Sequence, residues 1–376
     1  LRVVHVIKAT GIAGAENHLI ELLAGLRARG VDARLLLLAA PDGSGAGFAE
    51  ALTLRGVPVT QVSIRGHLDP LLLRRLRRAL RDLQPDVVHT HLFHADTYGI
   101  PAAKLAGVPL VYSSRHDDDP RRRHPVLRVV NALLWRMATG GVAISEAVRR
   151  FTIEIEGAPA RKIQRIYYGV LLPVPVYDRK RARQVMRDLI GAPQDAPLLG
   201  MVCRLMDAKG IPDALQAFAQ VAPEFPDVHF IIAGDGPLRS TLEKYAHALS
   251  IDRRVHFLGW QDDPYKVMAA IDVLLMPSVR EGFGLSILEA MSQSVPVIGS
   301  TASAIPEVIA HGETGLTVPP RDPAALADAL RLLLSDKALR MHMGLMGLDR
   351  LETHFGAERM VDETLALYQR AGRDAS

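Results

Sequence analysis

Residues 198–222 read L-L-G-M-V-C-R-L-M-D-A-K-G-I-P-D-A-L-Q-A-F-A-Q-V-A. An apolar run, 198–203, breaks into a short loop carrying Arg204 and Lys209. From Ile211 onward apolar residues recur at three- and four-residue spacing. A continuous apolar run, rather than an alternating one, reads as a strand covered on both faces, as in a parallel sheet. The amphipathic stretch behind it reads as the crossover helix.

The same unit repeats in both directions. Upstream, strand-like runs fall at 3–7, 33–38, 57–62, 87–90, 110–113, 141–144 and 163–167, with helix-like segments such as 16–28, 70–83 and 126–138 between them. Downstream, strands fall at 229–233, 255–258, 273–276, 295–299 and 315–318, and helices at 237–249, 263–270, 286–293 and 323–335. Strict strand–helix alternation predicts a doubly wound α/β fold, here built twice. A chain of 376 residues is long enough for two domains of about 100–200 residues each. The segment 168–176, Y-G-V-L-L-P-V-P-V, interrupts both periodicities and reads as the linker. The expected domains are 1–170 and 171–357, with a C-terminal helix at about 358–376 returning to the first.

Composition narrows the function classes. No stretch approaches the roughly 20 uncharged apolar residues of a membrane span, and the opening L-R-V-V-H-V-I-K is too charged for a signal peptide. The single cysteine, Cys203, excludes an intrachain disulfide and fits a cytoplasmic location. The first 170 residues carry 24 Lys and Arg against 15 Asp and Glu, a net of +9, and the remainder 21 against 26, a net of −5. A basic half can draw in an anionic partner, although sign asymmetry also arises on ordinary surfaces. The basic runs lack interleaved aromatics, which argues against nucleic acid.

In open parallel sheets ligands bind beyond the carboxyl ends of strands. Arg204 and Lys209 lie there, just before a helix start with its free N–H groups. Together they suit a diphosphate, and alone they read equally as solvated surface cations. The next such place is 273–290, V-L-L-M-P-S-V-R-E-G-F-G-L-S-I-L-E-A. Glu281 falls in the loop, Gly282 and Gly284 let backbone approach a ligand, and Glu289 sits on the following helix. There its carboxylate can accept two hydroxyl hydrogen bonds from a ribose, or simply stabilise the positive helix end.

E-G-F-G-L-S-I-L-E has the E-x7-E spacing of the retaining glycosyltransferases of family 4, and R-L-M-D-A-K-G resembles that family's donor loop. G-I-A-G-A-E at 11–16 is similar to its opening motif, and I-P-E-V-I-A-H-G-E-T-G-L-T-V at 305–318 to its segment after the E-x7-E helix. A-G-D-G-P at 233–237 and F-L-G-W at 257–260 follow in the family's order. The resemblance covers nearly the whole chain. It implies a GT-B fold, with two Rossmann-like domains whose parallel sheets face an interdomain cleft. The implied reaction is transfer of a sugar, with retention, from a nucleotide-diphosphate sugar to a hydroxyl acceptor, in cell-envelope polysaccharide synthesis or a related task.

The implied roles fall on individual residues. Arg204 and Lys209 would bind the diphosphate and stabilise the leaving group. Glu281 would bind the transferred sugar, with backbone N–H groups of Phe283, Gly284 and Leu285 around it, and Glu289 the ribose. Gly14 would bring N–H groups to the phosphates, and the base would lie near Gly234, Gly236 and Trp260. His116, beyond the strand at 110–113, would contact the donor sugar, in competition with His5, His18, His67, His89, His91, His94 and His124. No metal or other cofactor is implied. The carboxylates Asp117, Asp118 and Asp119 read as a loop of ion pairs with the adjacent arginines. The basic helix 71–81 reads either as an ordinary surface helix or as peripheral contact with an anionic membrane carrying a lipid-linked acceptor.

Three positions depart from the family. Cys203 stands for a glycine, Tyr168 for an asparagine, and Thr301-Ala302-Ser303-Ala304 for a glycine-rich turn. Other readings are a GT-B nucleotide-sugar epimerase and a non-catalytic nucleotide-sugar-binding protein.

Overall fold

A computed structural model of the chain describes residues 1–66, 69–172 and 177–374. His67 and residues 173–176 of the expected linker lie outside the described residues, as do the last two residues of the expected C-terminal helix. The chain forms two compact units, Leu1–Leu171 with Gly356–Ser376, and Leu172–Phe355.

The first unit holds seven strands: β1 Arg2–Ile7, β2 Asp32–Ala39, β3 Val59–Ser63, β4 Val87–His91, β5 Leu110–Arg115, β6 Gly140–Ala143 and β7 Ile163–Arg165. They pair in parallel in the order β3-β2-β1-β4-β5-β6-β7. The second unit holds β8 Leu198–Val202, β9 His229–Ala233, β10 Val255–Gly259, β11 Val273–Met276, β12 Val297–Ser300 and β13 Gly315–Val318, in parallel in the order β10-β9-β8-β11-β12-β13. Both are doubly wound α/β sheets. In each, strand order reverses once, between β1 and β4 and between β8 and β11, so the loops after those strands part to opposite sides and leave a crevice at their carboxyl ends.

Burial explains the continuous apolar strands. In the first unit Val3, Ile7, Leu35, Leu37 and Val87 pack beneath one helical layer, and Val4, Val6, Leu36, Leu38 and Val88 beneath the other. The helix Ala357–Asp374 belongs to the first of these layers through Met360, Val361 and Tyr368. Its entry requires Gly169, since a Cβ there would stand 2.6 Å from the Gly356 carbonyl oxygen. The backbone N–H of Ala357 then donates to the carbonyl of Val170 at 2.9 Å.

Two central strands break the apolar rule. His5 on β1, and His89, Thr90 and His91 on β4, are all buried. Polar groups in a core need partners. Thr90 finds one in Asp96, on the far side of β4 from the histidines.

Asp96 belongs to an ionic cluster behind β5. Arg115, the last residue of β5, pairs with Asp96, and its Nε donates to Glu156 at 2.7 Å. Arg122 donates to the other Glu156 oxygen at 2.9 Å, and Trp135 Nε1 to the first at 3.1 Å. This cluster anchors the loop 116–124 from below. Burial opposes the charge on Glu156, but Arg115 and Arg122 outweigh it and hold its carboxyl below the ordinary value. That stabilisation is therefore full above the ordinary carboxylate range and is lost as pH falls through the depressed value. Glu156→Gln leaves two buried guanidinium groups short of charge and should lower stability by about 3–5 kcal/mol at neutral pH. Chemical denaturation of both proteins checks this, and the gap should close in acid.

Candidate functional site

The crevice of the second unit is built by three loops that need glycine where they touch. Beyond β8, residues 203–210 run past the loop after β9. A side chain at Gly234 (φ 129°) would overlap the Cys203 carbonyl, and one at Gly236 would stand 2.5 Å from that of Leu205. Hydrogen bonds close the seam: Cys203 N–H to Ala233 O at 3.0 Å, Leu205 N–H to Asp235 O at 3.0 Å, and Gly234 N–H to Gly259 O at 2.7 Å. On the other side Gly210 (φ 64°) lets the Pro277 carbonyl come close, and Val279 N–H donates to Ala208 O at 2.9 Å. Gly210 also starts the helix Ile211–Val221.

This packing brings Lys209 and Glu281 together across the reversal of strand order. Lys209 Nζ stands 2.6 Å from Glu281 Oε2, and both side chains are mostly shielded. Burial opposes the Lys209 charge, but the Glu281 carboxylate outweighs it and holds the ammonium above the ordinary lysine value. Arg204, two residues beyond the end of β8, is exposed, and among the described residues its guanidinium has no partner. Cys203 beside it has its thiol pushed up to about 11 by burial, against the pull of Lys209. The thiol is therefore neutral.

Gly284 (φ 96°) turns the chain into the helix Leu285–Ser292, which presents its first N–H groups at the crevice. Phe283 is buried edge-on against Phe355, with ring centres 5.7 Å apart. Only its backbone is available to a ligand there. Ser286 Oγ donates to the Val202 carbonyl at 2.9 Å and ties this helix to β8. Glu289, one turn on, is half-buried, and among the described residues nothing pairs with its carboxylate. Burial alone pushes its pKa up to about 7. Trp260 lies beyond β10, 63% exposed, with Nε1 donating to Asp262 at 3.0 Å. In the turn 301–304, Ser303 adopts φ 49°, a left-handed conformation that glycine would take without strain. That turn reaches the site through Ala304 N–H, which donates to the Glu281 carbonyl at 3.3 Å.

The first unit has its own crevice, beyond β1 and β4. Gly14 is exposed at the start of the helix Gly14–Ala28, whose entry is fixed by Ala13 N–H donating to Glu16 at 3.1 Å. His116 follows β5, and both its ring nitrogens already have protein partners. Nδ1 meets the Tyr168 hydroxyl, and Nε2 meets His91 Nδ1 at 3.0 Å. The ring reaches a ligand only by exchanging one of them. Tyr168 is the residue that departs from the family, and His18 stacks on it at 4.3 Å. Asp117 pairs with Arg122, and Asp119 with Arg121.

Periodicity gave no warning of several features. Leu92, just past β4, has φ 68°, a strained state for a branched side chain that costs of order 1–3 kcal/mol. The helix between β4 and β5, residues 92–106, is an expected element but tolerates Pro101 inside it. His5, His89 and His91, weighed above only as competitors of His116, are in hydrogen-bond sequence with it.

Residues 12–172 match Glycosyltransferase Family 4, and residues 183–347 match the glycosyl transferases group 1. The phosphatidyl-myo-inositol mannosyltransferase of Mycobacterium leprae is 31% identical over 341 residues, 87% of this chain and 85% of that one. The N-acetyl-α-D-glucosaminyl L-malate synthase of Bacillus anthracis is 32% identical over 232 residues, 62% of this chain and 60% of that one. Among solved structures, Anabaena Alr3699/HepE in complex with UDP and glucose superposes with a TM-score of 0.87 at 22% identity, covering 98% of this chain and 99% of that one, and so shares the fold. Two doubly wound units, the E-x7-E helix at the second reversal of strand order, and these matches have one reading: the chain is a glycosyltransferase, a member of the GT-B enzymes of glycosyltransferase family 4.

Proposed function

We propose that this enzyme takes the glycosyl group of a nucleotide-diphosphate sugar and delivers it, with retention of anomeric configuration, to a hydroxyl of an anionic acceptor. The observation that carries this is Arg204 beside the Lys209–Glu281 pair, with the carboxylate of Glu289 on the next helix, neither of them partnered among the described residues. Arg204 offers a planar fork and Lys209 a point charge to the diphosphate. As the bond to the sugar breaks, charge builds on the leaving phosphate, and fixed cations in a partly dry site lower that barrier. Glu281, already oriented by Lys209, holds a sugar hydroxyl. The leaving phosphate oxygen takes the acceptor proton on the same face, so no protein nucleophile is required.

Anabaena Alr3699/HepE is solved in complex with UDP and glucose and in complex with UDP-glucose, which makes UDP-glucose the first candidate donor. The acceptor class rests on charge. The first 170 residues carry a net of +9, and two relatives carry anionic hydroxyl compounds, L-malate and phosphatidyl-myo-inositol, in their names.

The same enzyme would work at a membrane surface. No described helix is long and apolar enough to cross a membrane. In the helix Leu72–Leu83 the leucines Leu72, Leu76 and Leu80 are spent on the core, which leaves Arg74, Arg78 and Arg81 outward. The apolar contribution comes from the helix Pro125–Met137, which exposes Val126, Val129 and Leu133 at 62, 61 and 50%. Basic and apolar groups on one unit suit the surface of an anionic bilayer.

A thermal-shift series with UDP-, GDP- and ADP-sugars should single out one base, since a ligand that binds only the folded state raises its stability. With that donor, Arg204→Ala should lose roughly 100-fold or more in turnover, and product NMR should show the donor's anomeric configuration. Near wild-type turnover would remove Arg204 from the mechanism. Donor affinity should weaken as pH falls through about 7, because the ribose hydroxyls donate to the carboxylate form of Glu289, which protonates there. Glu289→Gln should bind more weakly with a flat profile. Sedimentation with phosphatidylglycerol vesicles should fall for Val129→Asp with Leu133→Asp, and neutral phosphatidylcholine vesicles should bind neither protein.

A further inference from the structure

Buried between β1, β4 and the C-terminal helix is an unbroken hydrogen-bond sequence that neither the fold nor the proposed chemistry requires. It runs from the Tyr168 hydroxyl to His116 Nδ1, and from His116 Nε2 to His91 Nδ1 at 3.0 Å. It continues from His91 Nε2 to His5 Nδ1 at 2.9 Å, and from His5 Nε2 to the Tyr368 hydroxyl at 3.4 Å. It ends with that hydroxyl to His89 Nδ1 at 2.6 Å and His89 Nε2 to Ser114 Oγ at 2.8 Å. His5, His89, His91 and Tyr368 are at most 1% exposed, and Ser114 is 2% exposed. Donor nitrogens of His5, His89 and His91 lie within 4.8 Å of one another, which would invite a metal. All six of their ring nitrogens are already engaged, however, so a cation would have to break the sequence rather than complete it.

A charged imidazolium in this core would be unpaired and costly, so each ring carries one proton. A neutral imidazole donates from one nitrogen and accepts at the other. Each ring in the sequence meets one neighbour through Nδ1 and the next through Nε2. Two adjacent rings of opposite tautomer would therefore set two lone pairs, or two N–H groups, face to face at about 3 Å. The tautomers cannot be chosen one at a time.

We propose that His116, His91, His5, Tyr368 and His89 form one relay of a single polarity, so that His5 and Tyr368, buried beneath the sheet, decide which nitrogen of His116 carries the proton. With the Tyr168 phenol donating, all four rings are the Nε2–H tautomer, and Nδ1 of His116 is held as an acceptor for whatever hydroxyl replaces Tyr168 there. His91, His5 and Tyr368 are thus positioning residues. Their effect on turnover, unlike the relay itself, rests on the reading of His116 as the group that meets the donor sugar.

The test is the tautomeric state of the histidines in the full chain labelled with 15N-histidine, read from long-range 1H–15N correlations. The wild type should show His5, His89, His91 and His116 all neutral and all Nε2–H. Tyr368→Phe removes one oxygen and strands the His5 N–H. An unpaired lone pair is tolerated better than an unpaired N–H, so His5, His91 and His116 should switch together to Nδ1–H. Turnover should then fall about tenfold or more at unchanged donor KM. Should Tyr368→Phe fail to fold, His91→Asn serves: it keeps a polar atom facing His116 but cannot reach His5, and His116 should become a mixture of tautomers. Mixed tautomers or an imidazolium among the four rings of the wild type would overturn the relay, as would a Tyr368→Phe protein in which His116 is unmoved. Switched tautomers with unchanged turnover would overturn the positioning role. Full turnover of His116→Gln, with the common tautomer intact in the wild type, would instead remove His116 from the chemistry and leave the relay standing.

Discussion

The ion pair between Lys209 and Glu281 is the interaction on which the candidate donor site depends. The reversal of strand order between β8 and β11 sends the two following loops apart, and a loop tip without a tie is free to wander. The pair joins them at 2.6 Å, shielded enough that its charges are little screened. Gly210 lets the Pro277 backbone come closer than any side chain allows and so brings the two loops together, while Gly234 and Gly236 do the same for the loop after β9 against residues 203–205. With Lys209 and Glu281 neutralising each other, Arg204 and Glu289 remain a cation and a carboxylate without a side-chain partner among the described residues. A diphosphate with a ribose attached complements both at once.

The first unit keeps its site by a different device. Its loop 116–124 is held from beneath by Arg115, Glu156 and Arg122, while His116 itself is held by neutral hydrogen bonds. Ionic anchoring and neutral orientation are kept apart on opposite sides of β5. Burial drives the imidazoles well below their ordinary pKa, so their geometry does not change with the charge of the site.

Much of the fold was legible in the sequence because continuous apolar strands and amphipathic helices are local signals. Among the described residues all thirteen strands lie where the apolar runs placed them, within a residue or two at the ends. The helix Leu92–Ala106 falls where strand–helix alternation puts one, although Gly99, Pro101 and a histidine-rich start argue against a helix locally; packing on the neighbouring helix and β4 overrides them. Arg204, Lys209, Glu281 and Glu289 were legible as positions through the order of their motifs. Their partnerships were not, because Lys209 and Glu281 are 72 residues apart. The histidines illustrate the limit best. His5, His89 and His91 resemble any other histidines in the sequence, and what joins them is the register of β1 on β4, which pairs His5 with His89 and Ile7 with His91. Tyr168 was legible as a departure from the family, but not as the residue that takes up His116 Nδ1.

In the proposed reaction one nucleotide-diphosphate sugar joins Arg204, Lys209, Glu281 and Glu289 into a single site. The decisive measurement is a crystal structure of the enzyme with the nucleoside diphosphate of its donor. The diphosphate should lie between the Arg204 guanidinium and the Lys209 ammonium, with both ribose hydroxyls on the Glu289 carboxylate. A nucleotide bound elsewhere, or one that reaches the crevice with Arg204 still turned to solvent and Glu289 untouched, would contradict it.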